Sequence, residues 1–266
     1  MKTAITPKIV LFLAIGIVSS TRAEIPLPLD EALKNEKAQA ERWAYTETEV
    51  TRDGQGTQKS ITVVRYDPSK PYAEQYTPLT IDGAPPTKKA LKKYRDRGEQ
   101  EAAARQKQQG QNDDSGKSPV RIDLNGAKGI IDFEQAGVTE ENEHSLTYNI
   151  PIRTEGKSSF PFDKIQVLVR VNKQQHAFEN LDLKVLAPFR LKVIAKVKGA
   201  EISADYTTVD ADHPPQASHI NVHAKVGVLF GAFDVHQEIT RTDFKPVKPY
   251  DERFSVKAGP LKTLGF

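Results

Sequence analysis

Phe189-Arg190-Leu191-Lys192-Val193-Ile194-Ala195-Lys196-Val197-Lys198-Gly199-Ala200-Glu201-Ile202-Ser203-Ala204-Asp205-Tyr206 is the stretch that decides the fold class of this chain. Phe189, Leu191, Val193, Ala195 and Val197 alternate with Arg190, Lys192, Lys196 and Lys198, the period of two expected of a half-buried strand. Lys198-Gly199 supplies the glycine that a two-residue hairpin turn needs. A turn there sets Lys196 opposite Glu201, Lys192 opposite Asp205, Val193 opposite Ala204 and Ala195 opposite Ile202. Opposite charges then meet on one face and apolar groups on the other, and a slip of one residue would destroy both.

The same pattern extends on both sides. Strands are predicted near 164–171, 177–185, 189–197, 200–209, 218–228 and 233–243. The last pair forms a hairpin with Val228 opposite Gly231, Val226 opposite Phe233, Ala224 opposite Val235, Ile220 opposite Ile239 and Lys225 opposite Asp234. Leu229 and Phe230 occupy its tip, where apolar residues are unusual. Upstream, Ile130 to Val138 and Ser145 to Ile152 read as a hairpin around Glu140 to Glu143. Trp43, the only tryptophan, opens a strand to Val50. That strand turns at Asp53-Gly54 and returns through Ile61, Val63 and Tyr66, and Asp67-Pro68-Ser69 ends it. A third strand, Tyr76 to Ile81, stops at the breaker cluster Asp82-Gly83-Ala84-Pro85-Pro86.

Two helices flank these strands. Asp30 to Arg42 places Asp30 near the N-cap and Leu29, Ala32, Leu33, Ala40 and Trp43 on one side. Thr87 caps a second helix with Ala90, Leu91 and Tyr94 on one face. Beyond Gly98 the apolar stripe is lost, and Glu99 to Lys117 reads as a frayed helix running into a solvated linker. The fold class predicted is mainly β with flanking helices, a large antiparallel meander forming an incomplete barrel. Residues 24–266 make one domain, with a helix and linker inserted at about 87–117.

The first 23 residues read as a secretory signal. Lys2 and Lys8 precede the apolar run Ile9 to Val18, and Ala23 is the small residue to cut after. Glu24 is then the mature N-terminus, and the periplasm the expected location. Lys2, Lys8 and Arg22 account for the whole formal net charge of +3. An electrically balanced remainder argues against nucleic acid or an anionic membrane as a bulk partner. No stretch has transmembrane length, and with no cysteine neither a disulfide nor a lipid on sulfur can form.

Trp43, Arg65-Tyr66-Asp67-Pro68-Ser69, Tyr76-Thr77-Pro78-Leu79 and Asp82-Gly83-Ala84-Pro85-Pro86-Thr87 resemble a family of uncharacterised proteobacterial exported proteins. Tyr76 stands where that family usually carries tryptophan, and Pro78 interrupts the apolar pair that follows. The motif match spans residues 43–94; thereafter the order of elements is similar to the LolA/LolB/RseB-like lipoprotein-carrier fold. The resemblance implies an incomplete antiparallel barrel around an apolar cavity, closed by helices on its concave side. It implies no catalytic residue.

Candidate sites follow from the strand faces. Trp43, Tyr45, Val193, Ala195, Ile202, Ala204, Tyr206, Val222, Ala224, Phe233 and Val235 share the inner face, as core or as cavity lining. Ala195, Ala204 and Ala224 are small where a filled barrel prefers Leu or Ile, which leaves room for a ligand or a packed helix. On the opposite face His219, Asn221 and His223 lie near His236, close enough to raise the question of a metal. Exposed titratable histidines beside Lys225 and Asp234 are the simpler reading, because structural zinc wants a closed four-ligand shell. No nucleophile elbow, P-loop, dinucleotide fingerprint or zincin helix is present. The expectation is a binding protein without enzymatic activity or cofactor. Its partner would be an apolar small molecule or lipid, or another envelope protein, with no stable membrane insertion. A partner-binding or sensing module on the same scaffold is the second reading and an enzyme the third.

Overall fold

The computed structural model describes residues 24–39, 41–110, 121–124, 127–154, 161–191, 195–228 and 231–253. Residues 1–23, expected from the sequence to be a secretory signal, and the tip residues Leu229 and Phe230 lie outside them. Helix α1 (Leu27–Gln39) precedes the first three strands, β1 (Trp43–Asp53), β2 (Gln58–Tyr66) and β3 (Tyr76–Ile81). Helix α2 (Lys88–Gly110) follows. Then come β4 (Arg121–Leu124), β5 (Ala127–Ile131), β6 (Gly137–Glu141), β7 (Ser145–Asn149) and β8 (Ile152–Thr154). The rest of the chain is β9 (Ile165–Asn172), β10 (Ala177–Val185), β11 (Phe189–Leu191), β12 (Ala195–Thr207), β13 (Gln216–Val228) and β14 (Gly231–Pro246).

An 11-stranded antiparallel sheet runs in the order β3-β2-β1-β14-β13-β12-β10-β9-β7-β6, with β11 paired to β12. It is not closed: β3 and β6 are its edges. The first and last long strands meet at its middle, with Trp43 opposite Pro246 and Asp53 opposite Val235. A separate three-stranded sheet runs β4-β5-β8. The Ile130-to-Ile152 segment expected as one hairpin therefore divides between two sheets. Only β6 and β7 pair as a hairpin, and β5 and β8 turn away to pair with each other.

The predicted turns at the two ends of the sheet form. Asp53 Oδ1 accepts from the backbone N–H groups of Gln55 and Thr57 at 3.0 and 2.9 Å, closing the β1–β2 hairpin. Asp67 Oδ1 accepts from Ser69 N at 3.0 Å and Ser69 Oγ at 2.6 Å, an Asx turn that ends β2. Asp82 and Gly83 take positive φ of 51° and 77°, and Asp82 Oδ1 accepts from Ile61 N at 2.9 Å. The β13–β14 register is the predicted one throughout: Val228↔Gly231, Val226↔Phe233, Lys225↔Asp234, Ala224↔Val235, His223↔His236 and Ile220↔Ile239.

The Lys198-Gly199 turn does not form. Strand β12 continues through Gly199 for 13 residues, and the reversal falls between Leu191 and Ala195, which face each other. Lys196 pairs with Gly227 and Arg190, not with Glu201. Ala204 and Ile202 lie opposite Ile220 and Val222 on one side and Leu181 and Leu183 on the other. At Val197/Gly199 the register shifts. Such a bulge moves the inward set from odd to even positions, the same parity change a two-residue turn would produce. The 13-residue β13 decides between them, because only an unbroken β12 satisfies its ladder.

The core lies under α1. Leu29, Ala32, Ile131, Phe133, Tyr148, Ile150, Val167, Val169, Val171, Phe178 and Leu183 form one buried cluster. Leu29, Val167, Val169 and Val171 are shielded almost completely, each contributing about 1.5–3 kcal/mol by burial. The helix begins at Leu27, one turn ahead of the predicted start, so Asp30 sits within its first turn and pairs with Lys34 at 2.5 Å. Asn35 Nδ2 donates to the His176 carbonyl at 2.9 Å and Glu31 pairs with the His176 ring, pinning α1 to the β9–β10 turn.

Helix α2 starts where expected, with Ala90 N donating to Thr87 Oγ1 at 3.2 Å. It does not fray at Gly98. Glu101 accepts from the Tyr76 hydroxyl at 2.6 Å and from Arg97 Nε at 2.9 Å, and Ala102 is buried. Gly98 lets the helix approach the Tyr72 carbonyl so closely that a Cβ there would lie 1.9 Å from its oxygen. The remainder of the expected linker, 111–117, lies outside the described residues.

Candidate functional site

Directly opposed residues share a face of a sheet, and the registers trace one inner face across the whole of it. From Val169 and Val167 it passes through Leu181 and Leu183, Ala204 and Ile202, Ile220 and Val222, to Ile239 and Gln237. Helix α1 covers this face over β9 and β10, and α2 covers it over β3. Between the helices no helix among the described residues lies above the floor formed by β13 and β14, and this trough is the candidate site.

One end of the trough is aromatic and charged. Tyr45 and Tyr66 have ring centroids 5.1 Å apart, and Tyr66 and Tyr76 4.9 Å. Phe244 stands 5.7 Å from Tyr45 and 6.2 Å from Trp43, which meets the His213 ring edge-on at 5.0 Å. Two guanidinium groups cap the row, Arg97 at 4.2 Å from the Tyr76 ring centre and Arg241 at 4.7 Å from that of Tyr45. Arg241 Nε donates to Glu47 Oε2 at 3.0 Å, with side chains only 24% and 17% exposed. Burial raises the Tyr45 hydroxyl to about 12 despite the nearby Arg241, and burial with the Glu101 bond raises Tyr76 further.

A pocket of about 260 Å³ opens beside this end, beneath α1. Its walls are apolar, with Leu33, Phe133, Val167, Val169, Phe178 and Leu181 among them. Glu36, Lys37 and Tyr206 add three polar groups, and the Tyr206 ring packs 5.7 Å from Phe178. Desolvation raises the Glu36 carboxyl above the usual range, with Arg241 partly offsetting it. Desolvation, then the Glu36 charge, raises the Tyr206 hydroxyl. Among the described residues Glu36 makes no hydrogen bond.

The other end is open, apolar over β13 and the start of β14 and polar over β1, where Thr51 and Asp53 lie opposite Gln237 and Val235. Val222, Ala224 and Val226 are half-buried, while Phe233 is 61% and Val235 39% exposed. Of the sequence-predicted lining, Tyr45, Ile202, Ala204, Tyr206, Val222, Ala224, Phe233 and Val235 come to this one face. Trp43 is packed beneath it at 3% exposure. Val193 and the Ala195 side chain lie outside the described residues. Sequence reading missed Glu36, Glu47, Tyr66, Arg97, Glu101 and Arg241. For Arg241 a signal existed: it continues the inward series Phe233, Val235, Gln237, Ile239 as a lone charge.

The opposite face is polar. His223 and His236 rings are 5.2 Å apart, but His223 Nε2 faces Asp234 Oδ1 at 2.9 Å, and Lys225 reaches Asp234 at 3.0 Å. These two contacts, the histidine's first, hold the Asp234 carboxyl below its usual range. Among the described residues no group of three or more His, Asp or Glu side chains is placed to hold a metal.

The motif residues of the resemblance have structural roles. Arg65 Nη1 reaches over β1 to Thr46 Oγ1 at 3.2 Å and the Asp243 carbonyl at 3.0 Å. Tyr66 belongs to the aromatic row, Asp67 to the Asx turn, and the Pro68 carbonyl accepts from Tyr250 N at 2.8 Å. Comparison of the chain with family models, curated proteins and solved structures gave no match.

Proposed function

We propose that this chain is a non-enzymatic binding protein that carries an amphipathic, mainly apolar ligand, such as a lipid or acyl chain, in the trough between α1 and α2. The observation that carries this reading is the inner face of β13 and β14, which no helix among the described residues covers and which runs from the 260 Å³ apolar pocket to the open end of the trough. At that open end Phe233 and Val235 stay exposed while the polar partners Asp234 and His236 face the other way. An apolar face left open next to a formed apolar pocket is the usual shape of a ligand site. Glu36 and Tyr206 would meet the polar end of the ligand, and the Arg241–Glu47 pair closes the charged end.

In this reading the open sheet is an incomplete barrel of the LolA/LolB/RseB-like type. Register shifts at Ala44/Thr46, Thr51/Arg52, Val63/Val64, Phe178/Asn180, Val197/Gly199 and Asp205/Tyr206 support it, because bulges bend strands and raise their twist. Export to the periplasm behind a signal cut after Ala23 completes the reading. Titration with an environment-sensitive fluorescent fatty acid tests it. Saturable binding displaced by unlabelled fatty acid is expected, and absence of saturable binding would remove the carrier role.

A further inference from the structure

A second recess lies outside the trough, along the sheet edge. It is an open groove of about 760 Å³ between β3 and α2. Among the described residues strand β3 pairs only with β2, so one row of its main-chain groups faces this edge with no described strand beside it. Lys88, Leu91, Lys92 and Arg95 line the helix side, a spacing that puts all four on one helix face. Lys70 and Leu79 line the other side.

Most of the charge there has no partner among the described residues: Lys70, Lys88 and Lys92 make no ion pair with them, and Arg95 meets only its neighbour Asp96 at 3.7 Å. Lys88, Lys89, Lys92 and Lys93 crowd the first turns of α2, which has no acidic residue in its first turn. Cations at the positive end of a helix dipole oppose helix formation. A placement that breaks a local rule without internal compensation marks a functional surface. Leu79 and Leu91, each 46% exposed, face the groove as apolar anchors.

We propose that this groove is a docking site for an acidic, extended segment of a partner protein. The segment runs beside β3, its carboxylates on Lys70, Lys88, Lys92 and Arg95 and an apolar side chain between Leu79 and Leu91. A nucleic acid fits less well, because its unbroken row of phosphates would also meet Asp67 and Glu74 in the same groove, whereas a peptide can space its charges. A flat membrane surface does not enter a recess. Pro78 lacks an N–H in the middle of the edge, so main-chain pairing is confined to short stretches and charge supplies most of the specificity.

The test uses the full exported chain and a fluorescein-labelled decapeptide of alternating Glu and Val, followed by fluorescence anisotropy. Binding that weakens with added salt is expected, with none for the alternating Lys and Val peptide. The K88E/K92E/R95E variant should lose at least tenfold in affinity while remaining folded with a cooperative melt, since all three side chains are exposed and surface substitutions usually change stability by no more than about 0.5 kcal/mol each. Carbodiimide coupling of the Glu peptide to wild-type protein, mapped by mass spectrometry, needs no variant and should find Lys88, Lys92 and Lys70. Crosslinks scattered over other lysines, unchanged affinity in the triple variant, or equal binding of a ten-nucleotide oligothymidylate would overturn the proposal.

Discussion

Replacing Gly98 with alanine should destabilise the fold, against the ordinary trend for glycine inside a helix. An exposed helical Gly→Ala change gains about 0.5–1 kcal/mol from backbone entropy and propensity. At Gly98 the new Cβ would lie 1.9 Å from the Tyr72 oxygen and 3.0 Å from its carbon. Ordinary contact needs about 3.5 Å, so helix and loop must separate by about 1.5 Å. Both obstacles are backbone and cannot swing aside as a side chain would. Overpacking of this kind costs about 1–3 kcal/mol, leaving a net loss near 2 kcal/mol at the upper end. For a domain of this size that is a Tm lowered by about 4–8 °C. Thermal melting by circular dichroism at neutral pH reads it directly. Gly199→Ala is the control: φ is not positive there and nothing lies within 4 Å of a Cβ, so its effect should stay within about 0.5 kcal/mol. If Gly98→Ala raised Tm like a solvent-facing helix glycine, the docking of α2 on the Tyr72 turn would be wrong.

Glu36→Gln should stabilise the protein at pH 7 and make no difference below about pH 4. Burial raises this carboxyl in the fold, so ionisation costs folded stability once pH exceeds the unfolded carboxyl's range, and nothing below it; Tm measured across pH checks both limits. Arg241→Met and Glu47→Gln should each destabilise, and a double-mutant cycle in urea should return a coupling of about 1.5–3 kcal/mol for this charged hydrogen bond. Additivity within about 0.5 kcal/mol would deny the pair that role. N-terminal sequencing of the exported protein should begin at Glu24; retention of Met1 in a membrane fraction would contradict the signal peptide.

Much of the sheet was legible because alternation and turn chemistry are local. Asp53-Gly54, Asp67-Pro68-Ser69 and Asp82-Gly83 each carry a side chain or φ preference that names the turn. The β13–β14 register needed only one consistent set of pairs. Gly199 misled for a physical reason: a bulge and a two-residue turn impose the same parity change on the flanking side chains. The choice between them rests on the length of β13, which is not a neighbour in sequence. The true reversal, between Leu191 and Ala195, carries no glycine, proline or asparagine to mark it. The trough was half legible. Its apolar floor follows from alternation, but the meeting of Glu36, Tyr206 and Arg241 depends on where α1 docks. The partnership of Arg97 and Glu101 with Tyr76 depends in turn on the close approach that Gly98 permits.

Fatty-acid binding by Ala204→Leu and Ala224→Leu variants tests the trough most directly. Ala204 lies between Leu181 and Ile220, and Ala224 between Ala200 and Val235, so leucine at either place narrows the floor a ligand would rest on. Both are half-buried, and a face with open space should accept the added bulk with little loss of stability. Asn221→Leu on the opposite face serves as the control. The prediction is a probe Kd raised at least tenfold, about 1.4 kcal/mol, in both alanine variants, with Tm nearly unchanged and the control binding normally. Undiminished binding in both folded variants, or no saturable binding by the wild type, would contradict it.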